Sequence, residues 1–425
     1  MNAGIVVILI LVAAALIGIP IYVALGIATL IGVHLLGLPF VMIPQKMFTG
    51  MDSTALMAIP FFILAGNIMS RSITGKLINV SDALIGWIKG SLGIVTVLAS
   101  ALFGAISGSA VATVSAVGGI TIPAMKKQGY PAPFTAAVAS MSSILGPLVP
   151  PSITLIVYAS LTDIAVSKLF MATVVPAVLL VVMLMAYMLW YGRKHDLPSE
   201  AKKPLKVILS TIKDSIWALL MPVIIAVTIF GGICTATESA VVSVIYALLV
   251  SLFIYKDLRI SDLPKIIMSS AVSTATIMVL VGLSKSSSFV VTTSRLPQLV
   301  SATFTGITSS KIVILILVNL IFLVLGMLME TNASVIMMTP ILLPLMDAFG
   351  VDRMQFGMIM CVNLYIGLMT PPVGLSLLLG NKIAGCKISD TIKAALPMLG
   401  IGMLLLLMVT YIPALSLALP NALSK

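Results

Sequence analysis

Six glycine and proline positions recur at one constant spacing. Pro123 and Pro344, Gly129 and Gly350, Gly146 and Gly367, Pro150 and Pro371, Pro151 and Pro372, and Pro176 and Pro397 are each 221 residues apart (344 minus 123). Proline makes up about one residue in twenty of an average chain, so four proline matches on one diagonal mark a duplication. Each copy sets a Pro-Pro pair four residues after a glycine, GPLVPP at 146–151 and GLMTPP at 367–372, inside a long apolar segment. The pattern predicts a duplicated helical module with one interrupted helix in each copy.

Composition fixes the solvent. Hydrophobic residues make up 60% of the 425 and charged residues 9%, with a mean hydropathy of +1.22. A soluble chain of this length needs far more polar surface, so the fold class is an all-α polytopic membrane protein. No segment shows the ten-residue alternation of a transmembrane β-barrel. The opening MNAGIVVILILVAAALIGIP has no basic leader and runs into further apolar sequence, which predicts a retained helix rather than a signal peptide. The net charge of +11 belongs to basic loops that orient the chain, and no compact basic domain points to nucleic acid. Cys234, Cys361 and Cys386 are odd in number and scattered, and His34 and His195 are too few for a metal site or a triad. No enzyme, cofactor or disulfide framework is expected.

Apolar segments lie near 4–36, 54–70, 91–125, 134–160, 169–192, 216–234, 236–255, 266–284, 311–346, 355–380 and 394–419. Two of them, 91–125 and 311–346, exceed one span and carry polar, small-residue centres, FGAISGSAVAT at 103–113 and GMLMETNAS at 326–334. Each reads as a re-entrant helical hairpin. The amphipathic stretches before them, 71–90 and 285–310, read as helices lying along the interface. The most basic loop, 193–214, is assigned to the cytoplasm, and counting spans from it adds 71–90, 126–133, 256–265 and 381–393. That side then holds 17 of the 24 Lys and Arg, while Lys285, Arg295 and Lys311 fall on the other. The hairpins open from opposite faces, so the repeat is inverted. The sequence leaves open whether 4–36 is one long tilted helix or two short ones broken near Pro20.

The breaks carry the chemistry. Proline has no N–H, so Pro150, Pro151, Pro371 and Pro372 deprive the carbonyls of Gly146, Pro147, Gly367 and Leu368 of their helical donors. In hydrocarbon such carbonyls must face protein, water or a cation. Ser107, Ser109 and Thr113 at the first hairpin tip, and Thr331, Asn332 and Ser334 at the second, add the neutral oxygens that a hard cation such as Na⁺ prefers. The same interruptions create half-helix N-termini near Ser109, Ser152, Asn332 and Val373 that favour an anion. Cation and anion groups at one depth are the physics of sodium-coupled anion uptake. Gly104 and Gly108 have a second role open to them, letting helices approach closely. Glu330 is either a functional carboxylate at an intramembrane tip or a helix cap within METNAS. Glu238, in TATES, is placed at an outer turn. The 27 methionines are read as packing and lipid contact.

GAISGSAVATVSAVGGITIPAMKKQGYP, SSILGPLVPPSI, METNASVIMMTPILLPL, GLMTPPVGLSLLL and PFFILAGNIMSRSITGKLI together resemble the large membrane subunit of tripartite ATP-independent periplasmic (TRAP) transporters, over essentially the whole chain. The resemblance implies an inverted-repeat elevator in the bacterial inner membrane, with Na⁺ as coupling ion. It also implies a small membrane permease subunit and a periplasmic substrate-binding protein that delivers an organic acid anion, such as a sialic acid, a C4-dicarboxylate or another sugar or keto acid. One sodium site would then use Ser107, Gly108 and Ser109 with the carbonyls of Gly146 and Val149. The other would use Thr331, Asn332 and Ser334 with Gly367, Met369 and Thr370. Substrate would meet Ser109, Thr113, Ser152, Glu330, Asn332 and Val373. The implied domains are scaffold and interfacial arm (1–90), hairpin and broken helix (91–160), scaffold, loop and second arm (161–310), hairpin and broken helix (311–380), and a C-terminal helix (381–425). A stand-alone sodium/dicarboxylate symporter of similar architecture is the alternative, and an intramembrane enzyme a remote one.

Overall fold

In a computed structural model that describes residues 2–199 and 201–423, every regular element is helical. Among the described residues, seven helices are long and apolar enough to cross a membrane, from Ala132–Thr162 to Ile388–Tyr411. The duplication reappears as geometry. Helices starting at Ala110 and Ala132 have counterparts starting at Thr331 and Arg353, at the offset of 221 itself, and Val166–Lys194 answers to Ile388–Tyr411. The repeated residues have local causes. Gly129 and Gly350 end the outgoing hairpin arms with φ of +86° and +63°, a left-handed turn that a side chain would strain. Pro123 and Pro344, and Pro176 and Pro397, sit inside corresponding helices. The Pro150–Pro151 and Pro371–Pro372 bonds are both cis.

The first hairpin runs up Ser91–Ser107 and returns through Ala110–Thr113, a π-helical turn at Val114–Gly118, and Gly119–Lys127. The second pairs Lys311–Leu328 with Thr331–Ala348. The first broken helix is Ala132–Ser143 with the short Leu145–Leu148, then Ile153–Thr162; the second is Arg353–Gly367, then Leu375–Ala384. At the base of the first hairpin, Lys126 Nζ donates to the Ala384 carbonyl, 2.7 Å away at the end of the second broken helix. Where the second hairpin ends, the Tyr158 hydroxyl of the first broken helix donates to the Arg353 carbonyl at 2.7 Å. Each broken helix therefore starts at the base of one hairpin and finishes at the base of the other. The two hairpins enter from opposite ends.

The segments grouped by charge also meet. Lys89 pairs with Asp196 and Lys203 with Asp82, and Lys76 lies over the Tyr255 ring at 5.2 Å. This face is the basic side of the molecule. The Asp196 carboxyl is held below its usual range by the hydrogen bond and charge of Lys89.

Several sequence boundaries shift. Residues 4–36 form two short helices, Ala3–Ile17 and Ile21–Leu35, broken between Gly18 (φ +81°) and Pro20. Both outer ends lie beside the end of helix Leu263–Thr293: Asn2 Nδ2 donates to Ser294 O at 2.7 Å, and a Cβ on Gly32 would meet both Val7 and Val290. The pair is a third hairpin. Residues 285–293 continue helix Leu263–Thr293, and only Leu296–Ile307 forms the second separate arm, because no glycine or proline interrupts the chain between Gly282 and Pro297. Part of the loop 193–214 is helical, since Leu205–Phe230 begins directly after Pro204, where proline presets the first turn. The C-terminal segment is two helices, Ile388–Tyr411 and Ala414–Leu423.

Candidate functional site

Both hairpin tips and both helix breaks converge on one cavity of about 910 Å³. The tips contribute Ser107, Gly108, Ser109, Glu330, Thr331 and Asn332, the broken helices Pro147, Thr154, Tyr365 and Leu368. Its far wall is formed by Asn67 and Ser70 of helix Ala58–Ser72, by Ser273 and Thr276 of Leu263–Thr293, and by the Pro20 break.

The first tip turns on a glycine. Ser107 ends its helix, Gly108 takes φ +61°, and Ser109 starts the return as an extended N-cap whose hydroxyl accepts from Ala112 N at 3.3 Å. Thr113, fully buried, donates to the Ser109 carbonyl at 2.8 Å, with its Oγ1 3.4 Å from Ser107 Oγ. The tip rests on the break: a Cβ on Gly108 would stand 2.6 Å from the Pro151 carbonyl oxygen, and one on Gly146 2.6 Å from the Ser109 carbonyl oxygen. Among the described residues no donor reaches the Gly146 or Pro147 carbonyl. Val149 caps the short helix in an extended conformation, its N–H donating to Leu145 O.

The second tip has no glycine. Met329 and Glu330 are extended, and Glu330 is the N-cap, its Oε2 accepting from Ala333 N at 3.1 Å. Asn332 Nδ2 donates to Glu330 Oε1 at 2.7 Å, and Ser334 Oγ donates to the Glu330 carbonyl at 3.2 Å. Of the two readings of Glu330, this arrangement is the capping one, and Asn332 lies one turn-residue beyond the helix start assigned to it. Asn332 Oδ1 is buried without a partner, an amide oxygen left open beside the cavity.

The second break is tighter than the first. The Gly367 carbonyl accepts from Thr370 N at 2.9 Å and the Leu368 carbonyl from Ser376 N at 3.2 Å, so the donors lost to proline are replaced by a local turn and by the next half-helix. Met369 is buried, and Thr370 Oγ1 donates to Ile366 O at 2.9 Å. The half-helix begins at Leu375 with Gly374 as N-cap at φ +50°, one residue beyond Val373, which is 37% exposed and outside the cavity wall. Ser152 does cap its half-helix, accepting from Leu155 N at 3.5 Å.

Sequence reasoning missed Tyr365. Its buried hydroxyl lies 3.1 Å from Ser152 Oγ and so joins the two breaks, as Ser140 Oγ joins them again by donating to the Ser376 carbonyl at 2.9 Å. It missed the far wall too, where Asn67 Nδ2 donates to Ser270 Oγ at 2.8 Å. The available signal was polar residues recurring on one face of an apolar helix, Ser269, Ser270, Ser273, Thr274 and Thr276. Among the described residues that line the cavity none is Lys or Arg. The lining offers hydroxyls, amides, the Glu330 carboxyl group and the N–H groups of a half-helix start.

Comparison with known proteins agrees with this architecture. The profile of a family described as tripartite ATP-independent periplasmic transporter, DctM component, matches residues 7–415. The chain is 41% identical to the C4-dicarboxylate TRAP transporter large permease protein of Pseudomonas aeruginosa, over 88% of each. It is 33% identical to the sialic acid TRAP transporter large permease protein of Vibrio cholerae, over 89% of this chain and 88% of that one. It also matches the isethionate TRAP transporter permease protein of Oleidesulfovibrio alaskensis at 37% identity, over 94% of this chain and 63% of that longer one. Among solved structures, the Alcanivorax borkumensis YdaH transporter is similar with a TM-score of 0.64 over 88% of each chain; at 15% identity the likeness is one of fold.

Proposed function

The chain belongs to the DctM-component family, the large permeases of tripartite ATP-independent periplasmic transporters, and from that premise we propose that it imports an organic acid anion by sodium-coupled secondary transport. It is a multi-pass protein of the bacterial inner membrane. The observation that carries the proposal is the single cavity on which both tips and both breaks converge. The free carbonyls of Gly146 and Pro147 and the open Asn332 Oδ1 are oxygen ligands suited to Na⁺. The half-helix starts capped by Ser109 and Ser152 present N–H groups and positive dipole ends to a carboxylate. The relatives named above take C4-dicarboxylate, sialic acid and isethionate, all organic acid anions. We assign this chain to that class and not to one member of it.

Sodium solves an electrostatic problem. Carrying one uncompensated negative charge inward against 100 mV costs about 2.3 kcal/mol. Cations bound at the tips offset that charge, order the two tip turns, and complete the anion site only when both ligands are present. The hairpins and broken helices then slide together as one body. The bonds from Ser152 to Tyr365, Ser140 to Ser376, Lys126 to Ala384 and Tyr158 to Arg353 support this, since each joins one repeat to the other. The far wall comes from the basic-side halves of Ala58–Ser72 and Leu263–Thr293, which favours a state with the cavity nearer the cytoplasm.

The test is uptake of labelled organic acids into proteoliposomes under an imposed Na⁺ gradient, with the small subunit and the periplasmic binding protein each omitted in turn. The proposal expects uptake that needs all three components. Full uptake by the chain alone would replace it with a stand-alone symporter.

A further inference from the structure

Lys285 departs from the charge pattern, a lysine near the end of helix Leu263–Thr293 remote from the basic side, and the transport chemistry above makes no use of it. Its ammonium does not reach for solvent. Nζ donates to the carbonyl of Ser160 at 3.2 Å, in the last turn of the half-helix Ile153–Thr162. The carboxylate of Asp163, the left-handed C-cap of the same half-helix, acts on it as well. A cation at a helix C-terminus meets the unsatisfied carbonyls and negative dipole end there. The stem is guided from the other side: a Cβ on Gly50 of helix Met42–Met51 would come within 2.6 Å of Lys285 Cβ and closer still to its Cγ. The bare backbone of Gly50 is what lets the lysine lie across that helix. The neighbouring Ser284 Oγ donates to Ile336 O of the second hairpin at 3.1 Å, so two consecutive residues of one helix grip both repeats of the proposed moving body.

We propose that Lys285 is a positioning residue, a latch between the stationary helix Leu263–Thr293 and the moving hairpin domain that holds the domain in the position seen here. The inference rests on the sliding reading above. Displacement of the domain along the membrane normal separates Ser160 from Lys285, so the latch exists in one end state and is absent from the other. A hydrogen bond from a charged donor of this kind biases a two-state equilibrium by about tenfold or more. Gly50 makes the latch possible without touching the moving domain.

The test is a distance distribution by pulsed electron paramagnetic resonance on the full chain with its membrane partner. Spin labels replace the exposed Lys127, at the end of the first hairpin, and the exposed Lys213 of helix Leu205–Phe230, in a background with Cys234→Ser and Cys386→Ser. K285M and, independently, G50A are expected to shift the population ratio of the two distances about tenfold away from the state seen here, and K285R to restore it. Unchanged ratios in both variants, while Na⁺ and substrate still move the wild-type labels, would overturn the latch and leave the sliding reading standing. A label pair whose distance never changes under any condition would overturn both.

Discussion

At the residue scale the site is a set of oxygens whose usual partners are missing. Asn332 presents a buried Oδ1 with no donor while its Nδ2 is held by Glu330. Truncating that side chain removes the oxygen proposed to bind cation and also the bond from Nδ2 to Glu330 Oε1, while Ala333 N still reaches Glu330 Oε2. Asn332→Ala is therefore expected to raise the sodium concentration for half-maximal uptake about tenfold and to cost about 1–3 kcal/mol of stability through the unpaired carboxylate oxygen, read from uptake titrations and melting curves. For Glu330 the expectation is one of stability. Its carboxylate accepts from Ala333 N, so Glu330→Ala costs about 1 kcal/mol of stability through the lost cap, whereas Glu330→Gln keeps an acceptor and most of that stability. A calorimetric comparison of the two checks it, and equal melting temperatures would remove the capping role. Ser107, Ser109, Asn332 and Glu330 were legible in the sequence because polar residues are conspicuous inside apolar runs. Their partners were not. That Glu330 rather than Asn332 caps the helix depends on where a turn closes, which spacing does not report. Tyr365 was hidden because a tyrosine in a buried helix reads as packing until its hydroxyl is found beside Ser152.

At the element scale the repeat was the most legible feature, since glycine and proline record backbone demands directly. Gly129 and Gly350 hold left-handed turns, and the Pro-Pro pairs interrupt both helices as the sequence requires. The repeat does not, however, make the two breaks equal. The first leaves the Gly146 and Pro147 carbonyls open, while the second folds Thr370 and Ser376 back onto Gly367 and Leu368. Proline shows which donor is lost, but the replacement comes from tertiary folding. The two hairpins also pack differently on their breaks. In the second, a Cβ on Gly367 would lie 2.7 Å from the Gly326 carbonyl oxygen and against the rest of that residue's backbone, where nothing can rotate away. Gly367→Ala is expected to lower stability by about 1–3 kcal/mol or more, measured as the midpoint of thermal unfolding in detergent. A variant as stable as the parent would mean that the hairpin and the broken helix are not in backbone contact. The N-terminal pair of short helices shows the limit of hydropathy. One apolar run from 4 to 36 fits a span as well as a hairpin, and only the contacts of Asn2 and Gly32 with the end of helix Leu263–Thr293 distinguish them.

At the scale of the whole molecule, the inverted arrangement follows from contacts that join each hairpin base to the end of the opposite broken helix. Two of the segments grouped by charge, 71–90 and 193–214, do meet, through Lys89 with Asp196 and Lys203 with Asp82, and Lys76 lies over Tyr255 on the same face. The cavity between the repeats is the point where fold and function join. It gathers the oxygens proposed to bind cation and the helix starts proposed to bind anion from two halves of the chain that are far apart in sequence. The most direct measurement is initial uptake of a labelled organic acid by the reconstituted three-component system, with an inward Na⁺ gradient compared against an equal K⁺ gradient. Sodium coupling is expected to give accumulation above equilibrium with Na⁺, none with K⁺, and a weaker apparent sodium affinity for Asn332→Ala. Equal uptake with either cation would contradict it, whatever anion is carried.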